Sequence, residues 1–433
     1  MSSKKTPNDR VDHYKTEGES FSRRDFLVSS CKLCAIAAVS SSHHRASAAA
    51  PVQNAIHRAS PRVVVVGAGA FGGWTALYLL RSGAHVTLVD SWGPGNSRSS
   101  SGGETRVIRG TYGSQLIYTE MAARALALWK ENESRWHRQL FHHTGVLWMV
   151  GSDEQFERAA LPVLSKAGWK YETLTPTDLE RRYSQINFDG VKWAIFESES
   201  GYLKARESCR MVVEAFQSEG GAFLEAAVRL PRMSAGELGL VSLSNGATLT
   251  ADYFVFACGP WLGELFPDVI GGRIRPTRQE VFFFGAPAGD TRFCKGHFPV
   301  WADRQDRLRY GIPANDGRGF KVADDTRGPA FDPTQGDRVV SAESLVAIRE
   351  YVNHRFPALK NAPLIESRIC QYENSPDGNF VVDRHPSAQN VWLVGGGSGH
   401  GFKHGPALGE LVSSLVLGSR PAPSEFLLSR FTK

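Results

Sequence analysis

Three features of the sequence predict an α/β fold that combines a discontinuous Rossmann-type nucleotide-binding domain with a β-rich second domain. A glycine-rich turn joins a strand to a helix within residues 61–90. A second glycine-rich loop lies between a strand and a helix near the end of the chain, within residues 390–418. Between them, residues 273–360 are rich in short β-type segments and polar turns. Such a β-rich insertion within a strand-and-helix pattern indicates two packed units of different architecture.

The first feature is the segment PRVVVVGAGAFGGWTALYLLRSGAHVTLVD at residues 61–90. Its four valines are typical of a buried strand in a parallel sheet. Gly67, Gly69 and Gly72 then complete a GxGxxG pattern, in which they allow a tight turn, close approach of a pyrophosphate and close helix packing, respectively. Asp90, at the end of the next strand, can accept hydrogen bonds from a ribose. The complete order predicts a dinucleotide site, which by itself fits either NAD or FAD.

The polar loop that follows favours FAD over a nicotinamide cofactor. Its sequence, SWGPGNSRSSSGGETRVIRGTYG, stands where a nicotinamide enzyme would continue with another strand and helix. An extended ligand could lie beneath such a loop. Arg106 and Arg109 are three residues apart, so on a helical turn they would share a face. On sequence grounds alone they could equally be surface charges.

The predicted nucleotide-binding domain is discontinuous and comprises residues 61–140, 195–265 and 365–425. Residues 141–194 and 266–364 make up the predicted substrate domain. A chain of 433 residues has room for two or three domain-sized cores.

Hydrophobic periodicity predicts helices over residues 72–81, 115–135 and 153–184. An apolar run at residues 252–261, DYFVFACGPW, predicts a buried strand that ends in a Gly-Pro turn. Strands of this kind can return to the nucleotide-binding domain.

Composition argues against two classes of partner. The net charge of +6 falls to +3 without the first 50 residues, which hold eight Lys/Arg and five Asp/Glu. The remaining chain has no basic block, so we expect no nucleic-acid partner. No apolar run approaches the roughly 18 residues of a spanning helix, so we expect no stable membrane insertion.

Residues 1–50 predict a twin-arginine export signal. The motif SRRDFL at residues 22–27 precedes a modest apolar run, CAIAAV, and the small-residue stretch RASAAAP follows. The alternative is a disordered tail with a chance arginine pair. The signal predicts a periplasmic or secreted protein that is exported already folded by the twin-arginine machinery.

The cysteines and histidines do not predict a metal site. Four cysteines follow the predicted signal, and they are widely spaced without a CxxC pair: Cys209, Cys258, Cys294 and Cys370. His400 and His404 are four residues apart but lie in a glycine-rich loop, so we reject a metal pair. The segment SRICQYENSPDGNF holds Cys370, which by itself could be core, half of a disulfide, a nucleophile or an attachment point.

From about Arg62 to its end, the chain resembles the FAD-dependent amine oxidases of the monomeric sarcosine oxidase group, within the D-amino-acid oxidase superfamily. The resemblance rests on segments in the family's order: VVVVGAGAFGG, GGETRVIRGTYG, FESESGYL, ACGPW, RPTRQ, RYGIP, GFK, CQYENSPDGNFVVD and GGGSGHGFKHGPALGE. It implies a monomer with a discontinuous FAD-binding Rossmann-type domain and a β-rich substrate domain. It also implies FAD as the cofactor, with a small amino-acid substrate and oxygen as partners.

The resemblance assigns cofactor contacts to two segments. In the family the cysteine of the Cys-x-Tyr segment forms a thioether to the 8α carbon of the flavin, and here that cysteine is Cys370. In the late glycine-rich loop, Gly399, His400 and Gly401 correspond to residues that pack on the flavin. The second histidine of the loop, His404, receives no role.

The resemblance also assigns roles to five polar side chains. Arg106 resembles the arginine beside the flavin N5 edge, and Arg109 and Lys403 resemble the pair that holds the substrate carboxylate. Lys321 resembles the lysine that promotes reaction with oxygen, where a fixed positive charge would stabilise superoxide. Tyr310 resembles an aromatic hydroxyl of the substrate pocket. Without the resemblance, each of these cations would be read as a solvated surface charge.

The chain departs from the family at one position. Sarcosine oxidases carry a histidine four residues after the oxygen-activating lysine, whereas this chain has Asp325 in the segment KVADD. An anion there would favour a substrate with an additional cationic or hydroxylated part. A shift of register in this loop is the alternative explanation.

The predicted function is oxidation of a secondary or N-substituted amino acid, of N-methyl, cyclic or glycated type, to an imine, with oxygen as acceptor and hydrogen peroxide as product. Two alternatives remain: a dehydrogenase that passes electrons to a quinone or protein acceptor, and a non-catalytic flavoprotein.

Overall fold

The structure, a computed structural model, describes residues 60–229, 236–418 and 421–432. The predicted export signal at residues 1–50 lies outside them. The helices of the described part are α1 (Ala70–Arg81), α2 (Leu116–Trp136), α3 (Gln155–Lys166), α4 (Pro176–Arg182), α5 (Ala205–Ser218), α6 (Leu262–Leu265), α7 (Ala342–Arg355) and α8 (Gly405–Val416).

The strands of the described part are β1 (Arg62–Val66), β2 (His85–Asp90), β3 (Thr105–Ile108), β4 (Phe141–His143), β5 (Val146–Val150), β6 (Tyr171–Leu174), β7 (Trp193–Glu197), β8 (Gly201–Lys204), β9 (Ala222–Glu225), β10 (Val228–Arg229), β11 (Leu240–Leu243), β12 (Thr248–Thr250), β13 (Tyr253–Phe256), β14 (Arg275–Phe284), β15 (Val300–Arg304), β16 (Leu308–Ile312), β17 (Phe320–Asp324), β18 (Leu364–Asn374), β19 (Val381–His385) and β20 (Ala388–Gly395).

The four valines of β1 lie at the centre of a six-stranded sheet with the strand order β19-β20-β13-β1-β2-β9. All neighbours in this sheet are parallel except β19 and β20. Val63 and Val65 pack into one hydrophobic cluster, and Val64 and Val66 pack into another on the opposite face. A strand that is buried on both faces has no polar side, which explains the uninterrupted apolar run. The predicted Rossmann-type arrangement is confirmed.

An eight-stranded sheet forms the second architectural unit, with the strand order β18-β14-β17-β16-β15-β5-β7-β6. Its strands are antiparallel except for the β15–β5 pair. The long strands β14 and β18 pair over most of their length, which places Gln279 opposite Cys370. On one face of the sheet, an aromatic cluster that includes Trp301, Phe320 and Phe356 forms a separate core. The combination of this sheet with the six-stranded one confirms the predicted α/β fold class.

Two smaller sheets complete the described part, and both are antiparallel. One has the order β10-β11-β12, and the other has the order β3-β8-β4. The second of them carries Arg106 on β3. The helical turn on which Arg106 and Arg109 would share a face is not formed, because Thr105 to Ile108 pair with β8 as a strand. Tertiary pairing outweighs the three-residue spacing here.

The predicted helical stretch at residues 153–184 is also interrupted. It contains α3, then β6, then α4. Gly168 has a φ of +70°, a conformation that favours glycine and is incompatible with continuing a right-handed helix. A new helix then starts at Thr175, whose side chain accepts a hydrogen bond from the backbone N–H of Asp178 in a capping box.

Sheet membership differs from the predicted domain boundaries at two strands. Most of β7 and β18 falls in segments predicted for the nucleotide-binding domain, but both strands belong to the eight-stranded sheet. The division into domains stays a prediction. Within the described residues no helix is long and apolar enough to cross a membrane, and no group of His, Cys, Asp and Glu side chains is arranged to hold a metal ion.

Candidate active site

The turn between β1 and α1 can be built only with glycine at two positions. Gly67 has a φ of +105°, and a Cβ atom there would lie 2.3 Å from the carbonyl oxygen of Ala257. A Cβ atom on Gly72 would lie 1.8 Å from the carbonyl oxygen of Gly67. Gly69 is the N-cap residue of α1, and its lack of a side chain leaves the N-terminus of the helix open, apart from a hydrogen bond of 3.2 Å from the backbone N–H of Ala70 to the Ser101 hydroxyl. The first amides of α1 are therefore oriented as a polar cradle for an anionic group.

Asp90 anchors this turn. Its Oδ2 atom accepts a hydrogen bond from the backbone N–H of Ala68 at 2.7 Å, and its Oδ1 atom accepts one from Trp92 at 2.9 Å. Burial raises the pKa of the Asp90 carboxyl group, although these hydrogen bonds oppose that shift. The carboxylate thereby keeps the end of β2 fixed beside the glycine turn.

A cavity of about 370 Å³ adjoins the turn, and we name it the cofactor cavity. The predicted cofactor contacts that line it are Gly67, Gly69, Asp90, Gly399 and Gly401. Gly72 does not line it and instead allows α1 to pack against the turn. Two glycine-rich loops, the N-terminus of α1 and a carboxylate at the end of β2 together fit an extended dinucleotide.

A second cavity of about 240 Å³ lies beside the first, and we name it the substrate cavity. Arg109, Lys403, Tyr310, His400 and Asp325 all line it. The structure thus brings together residues that are up to 294 positions apart in the chain.

Four residues line both cavities: Arg106, Tyr372, Gly399 and Phe402. We name them the shared wall. A molecule bound in one cavity must therefore react with a molecule bound in the other at this wall.

Lys403 is a buried cation at one side of the substrate cavity, with 4% of its surface exposed. Its Nζ donates hydrogen bonds to the hydroxyl of Tyr112 at 2.8 Å and to the carbonyl oxygen of His400 at 2.9 Å. Burial and the nearby Arg109 guanidinium hold the pKa of Lys403 well below its usual range. An anionic ligand beside Lys403 would favour its charged form.

Arg109 approaches the same cavity between two aromatic rings. Its guanidinium carbon lies 4.6 Å from the ring centre of Tyr112 and 4.7 Å from that of Trp148. It also donates to the carbonyl oxygen of Thr111. Cation–π contacts hold the planar guanidinium in one orientation, as bidentate recognition of a carboxylate requires.

Glu197, at the end of β7, holds the loop that carries Arg109. Its buried carboxylate accepts hydrogen bonds from the backbone N–H groups of Gly110 at 2.6 Å and Thr111 at 3.0 Å. The hydroxyls of Thr111 and Ser200 also donate to it, each at 2.6 Å. The segment FESESGYL thus positions the arginine loop, a role that the sequence had not indicated.

His400 and His404 are buried, neutral imidazoles that contact different partners. His400 Nε2 lies 3.0 Å from the carbonyl oxygen of Gly378 and must donate to it. Burial lowers the pKa of His400 to about 3, and it holds the pKa of His404 well below its usual value. The Tyr112 hydroxyl lies 2.7 Å from His404 Nε2, so it can donate to this nitrogen while it accepts from Lys403.

Arg106, a residue of the shared wall, is in contact with Cys370. An Nη2 atom of Arg106 lies 3.4 Å from Cys370 Sγ. The same guanidinium donates to the carbonyl oxygens of Ser100 and Thr105, and these hydrogen bonds hold it in place. Cys370 itself lines neither of the two cavities.

Lys321 is buried one layer deeper, with 2% of its surface exposed. Its Nζ donates to the carbonyl oxygen of Thr105 at 3.0 Å and lies 5.7 Å from the ring centre of Tyr310. Burial, together with the Arg106 charge, lowers the pKa of Lys321 to about 7. Like Cys370, Lys321 lines neither cavity.

Asp325 faces the substrate cavity next to two tyrosines. The hydroxyl of Tyr372 donates to its Oδ1 atom at 2.7 Å. Burial raises the pKa of Asp325, although Tyr372, Arg109 and Lys403 favour the charged form. Burial also raises the pKa of Tyr310, so its phenol stays protonated.

Sequence reasoning missed five residues that shape the two cavities: Tyr112, Trp148, Glu197, Tyr372 and Glu373. Four of them stand within motifs that support the resemblance, so proximity to quoted segments was their available signal: Tyr112, Glu197, Tyr372 and Glu373. Trp148 reaches the site only through the pairing of β5 in the eight-stranded sheet. The roles predicted from the resemblance stay predictions, although the structure shows where each residue lies.

The sequence matches the family described as "DAO: FAD dependent oxidoreductase" over residues 62–415. It is 29% identical over 360 residues to a monomeric sarcosine oxidase from Bacillus sp. (strain NS-129), covering 82% of this chain and 92% of the relative. It is 27% identical over 377 residues to an N-methyl-L-tryptophan oxidase from Yersinia pestis (strain Pestoides F), covering 85% and 99%.

Solved structures share the fold. An L-proline dehydrogenase from P. horikoshii superposes with a TM-score of 0.75 at 20% identity, covering 86% of this chain and 98% of that one. The fructosamine oxidase Amadoriase II from Aspergillus fumigatus, in complex with FSA, gives a TM-score of 0.72 at 22% identity, with coverages of 85% and 89%. With a family match over nearly the whole described chain and two glycine loops around one cavity, the chain belongs to the DAO family of FAD-dependent oxidoreductases.

Proposed function

We propose that the protein oxidises a secondary or N-substituted amino acid at the C–H bond next to its nitrogen. The observation that carries this proposal is the pair of cations, Arg109 and Lys403, on a cavity that shares a wall with the cofactor cavity. A carboxylate bound by this pair lies at one side of the substrate cavity, and the rest of the substrate extends toward the shared wall. The relatives named for sarcosine and N-methyl-L-tryptophan act on amino acids with a secondary amine, which supports this substrate class.

The residues of the chain bind and orient the substrate. Arg109 is held between aromatic rings and Lys403 is held by Tyr112, so the two charges are preorganised for one carboxylate. The neutral imidazoles of His400 and His404 add no further positive charge beside these two cations. When bound, the flavin supplies the oxidising chemistry, as it accepts a hydride from carbon and passes the electrons to oxygen, giving hydrogen peroxide.

Asp325 narrows the choice of substrate. Its carboxyl group lines the substrate cavity and has one hydrogen-bonded partner, Tyr372, among its described side-chain contacts. We expect it to bind a cationic or hydroxylated part of the substrate that lies beyond the amino-acid group. This preference would distinguish the protein from an enzyme that is restricted to sarcosine.

Covalent attachment of FAD through Cys370 belongs to the same proposal. The Cys370 thiol lies 3.4 Å from the guanidinium of Arg106, a residue that lines both cavities, which supports attachment at this point. Acid-denatured protein should keep its yellow colour, and Cys370→Ala should release the flavin on denaturation. If the wild-type protein also loses all its flavin in acid, there is no covalent bond.

The function is tested by anaerobic bleaching of the flavin with a panel of N-methyl, cyclic and glycated amino acids. At least one member should bleach the visible absorption band of the oxidised flavin, and hydrogen peroxide should form when air is admitted. Simple primary amino acids serve as the control panel. The proposal fails if none of the secondary amines bleaches the flavin.

A dehydrogenase is the second candidate, and one observation favours it. Lys321, the residue assigned to reaction with oxygen, lines neither cavity. In a dehydrogenase, a dye or quinone would sustain turnover under argon, while turnover in air without the dye would be negligible. In an oxidase, air alone would sustain turnover.

We further propose that the protein is exported folded, as a monomer, to the periplasm or beyond. The SRRDFL motif supports the twin-arginine route. Export after folding would allow FAD to be inserted in the cytoplasm. The expected result is that replacing Arg23 and Arg24 by lysine retains the protein in the cytoplasmic fraction, whereas replacing Lys4 and Lys5 by arginine does not. Accumulation of the Arg23/Arg24 variant in the periplasm would contradict this route, and size-exclusion chromatography tests the monomer.

A further inference from the structure

Glu373 is a buried acid in the cofactor cavity with no role in the proposed chemistry. It lies on β18, three residues after Cys370, and its side chain lines the cavity. Only 8% of its surface is exposed. Its Oε2 atom is buried and has no hydrogen-bond partner in the described structure. An unpaired carboxyl oxygen at such depth is costly unless a ligand satisfies it.

The surroundings of the carboxyl group are backbone rather than cations. The N–H groups of Gly396 and Gly397 donate to it. A Cβ atom on Gly397 would lie 2.9 Å from Oε1, and one on Gly395 would lie 3.4 Å from Oε2. Glycine at these positions therefore gives the carboxyl group its place between β18 and the late glycine-rich loop.

Few titratable groups that could change the protonation of the Glu373 carboxyl group lie near it. The turn after β13 contributes the Cys258 thiol, whose pKa is raised by burial and by the charges of Asp90 and Glu373. The glycine-rich loop contributes no ionisable side chain between Gly395 and Gly397. Asp90, Glu264 and Arg106 line the same cavity, and so does Tyr372, which precedes Glu373 on β18. Burial raises the pKa of Glu373 to about 7, against the two glycine amides, which lower it.

We propose that Glu373 binds the FAD directly, with its carboxyl group protonated and donating a hydrogen bond from Oε2 to the dinucleotide. Protonation makes Oε2 a hydrogen-bond donor, so an acceptor atom of the dinucleotide can satisfy it, and it avoids adding a buried negative charge next to an anionic ligand. Binding above neutral pH then takes up one proton per FAD, and affinity falls as pH rises because the free protein must first be protonated. This inference goes beyond the proposed function: it depends on the family's cofactor and not on the substrate.

The test is an FAD titration of the full-length chain, prepared free of flavin on a Cys370→Ser background that keeps binding reversible. On this background the Kd should rise about tenfold per pH unit above about pH 7. Adding Glu373→Gln, which keeps a donor but cannot ionise, should give a pH-independent Kd close to the value measured at pH 6 without it. Adding Glu366→Gln, on the same strand but outside the cavity, should leave the pH dependence unchanged.

A second measurement does not depend on the Gln variant being stable. Calorimetric titration at pH 8 in buffers of different ionisation enthalpy counts the protons taken up on FAD binding. About one proton per FAD is expected on the Cys370→Ser background, and none after Glu373→Gln. The proposal is overturned if the uptake is zero, if the Kd falls as pH rises, or if Glu373→Gln keeps the pH dependence. None of these outcomes depends on amine oxidation or on the thioether.

Discussion

The two neighbouring cavities are built in opposite ways. The cofactor cavity is bordered by two glycine loops, in which an added Cβ atom would meet the carbonyl oxygen of Ala257 at Gly67 and the ring of Tyr372 at Gly399. The substrate cavity is formed by side chains, among them Arg109, Lys403 and Asp325, which come from strands and loops far apart in the chain. A backbone cavity tolerates few substitutions because its shape is the fold itself. A side-chain cavity can change its charges while the fold persists.

The largest effect should come from adding a side chain to the glycine turn that borders the cofactor cavity. Gly72→Ala would put a Cβ atom 1.8 Å from the carbonyl oxygen of Gly67, so the start of α1 must shift. We expect a loss of about 3 kcal/mol in the free energy of unfolding and a protein with little bound flavin. Gly272→Ala is the control because nothing lies within 4 Å of its Cβ position. Thermal melts and the flavin-to-protein ratio measure both effects, and normal flavin content in Gly72→Ala would break the contrast between the cavities.

Removing a charge from the substrate cavity should affect catalysis but not cofactor content. Arg109→Met or Lys403→Met leaves a substrate carboxylate with one cation in a buried site, and kcat/KM should fall roughly 10³-fold. Flavin content should stay that of the wild type. Arg124→Met, which removes an exposed arginine paired with Glu410, is the control. Loss of flavin in parallel with activity would show that the two cavities are not independent.

Lys321 lines neither cavity. We therefore expect its replacement to affect the reaction of the reduced flavin with oxygen and not the oxidation of the substrate. Lys321→Met should slow reaction of the reduced enzyme with oxygen by about 10²-fold and leave anaerobic bleaching by substrate nearly unchanged. Because burial lowers the pKa of Lys321 to about 7, its charge is present below that pH and is lost as pH rises through it. The oxygen reaction of the wild type should therefore slow above pH 7, and stopped-flow measurements over this range decide the matter. An oxygen rate that rises with pH would argue against a role for the ammonium charge.

The smallest effect concerns the shared wall. Tyr372→Phe removes the hydrogen bond to Asp325, worth about 1 kcal/mol, and raises the pKa of Asp325 further. We expect an increase of about fivefold in KM for a substrate that uses Asp325, together with a small shift of the flavin spectrum. Tyr310→Phe, which changes a tyrosine that lines the substrate cavity alone, should leave the spectrum unchanged. Identical spectra for both variants would place Tyr372 on the substrate side only.

The sequence allowed more of the cofactor cavity to be predicted than of the substrate cavity, and the reason is physical. The GxGxxG turn is a local pattern, so the sequence could indicate that Gly67, Gly69 and Asp90 lie together, and all three line the cofactor cavity. The contact between Lys403 and Tyr112 joins residues 291 positions apart, and no local spacing encodes it. The resemblance indicated Lys403 but not the tyrosine that holds it.

Local spacing was also a poor guide to the backbone conformation at Arg106 and Arg109. Three-residue spacing suggests a helical face, but pairing with β8 makes the segment a strand. Glu373 shows the same difficulty for charge. An acid next to a turn-rich run is usually solvated, and only the packing of β18 against the glycine loop buries it.

The shared wall has a consequence for how such an enzyme could change its substrate over generations. Sites such as Asp325, Tyr310 and Trp148 line the substrate cavity alone, so libraries built there can explore new amines while the yellow holoprotein survives selection. Changes at Arg106, Tyr372, Gly399 or Phe402 alter two ligands at once. New specificities are therefore expected to arise from the far side of the pocket, with these four positions altered last.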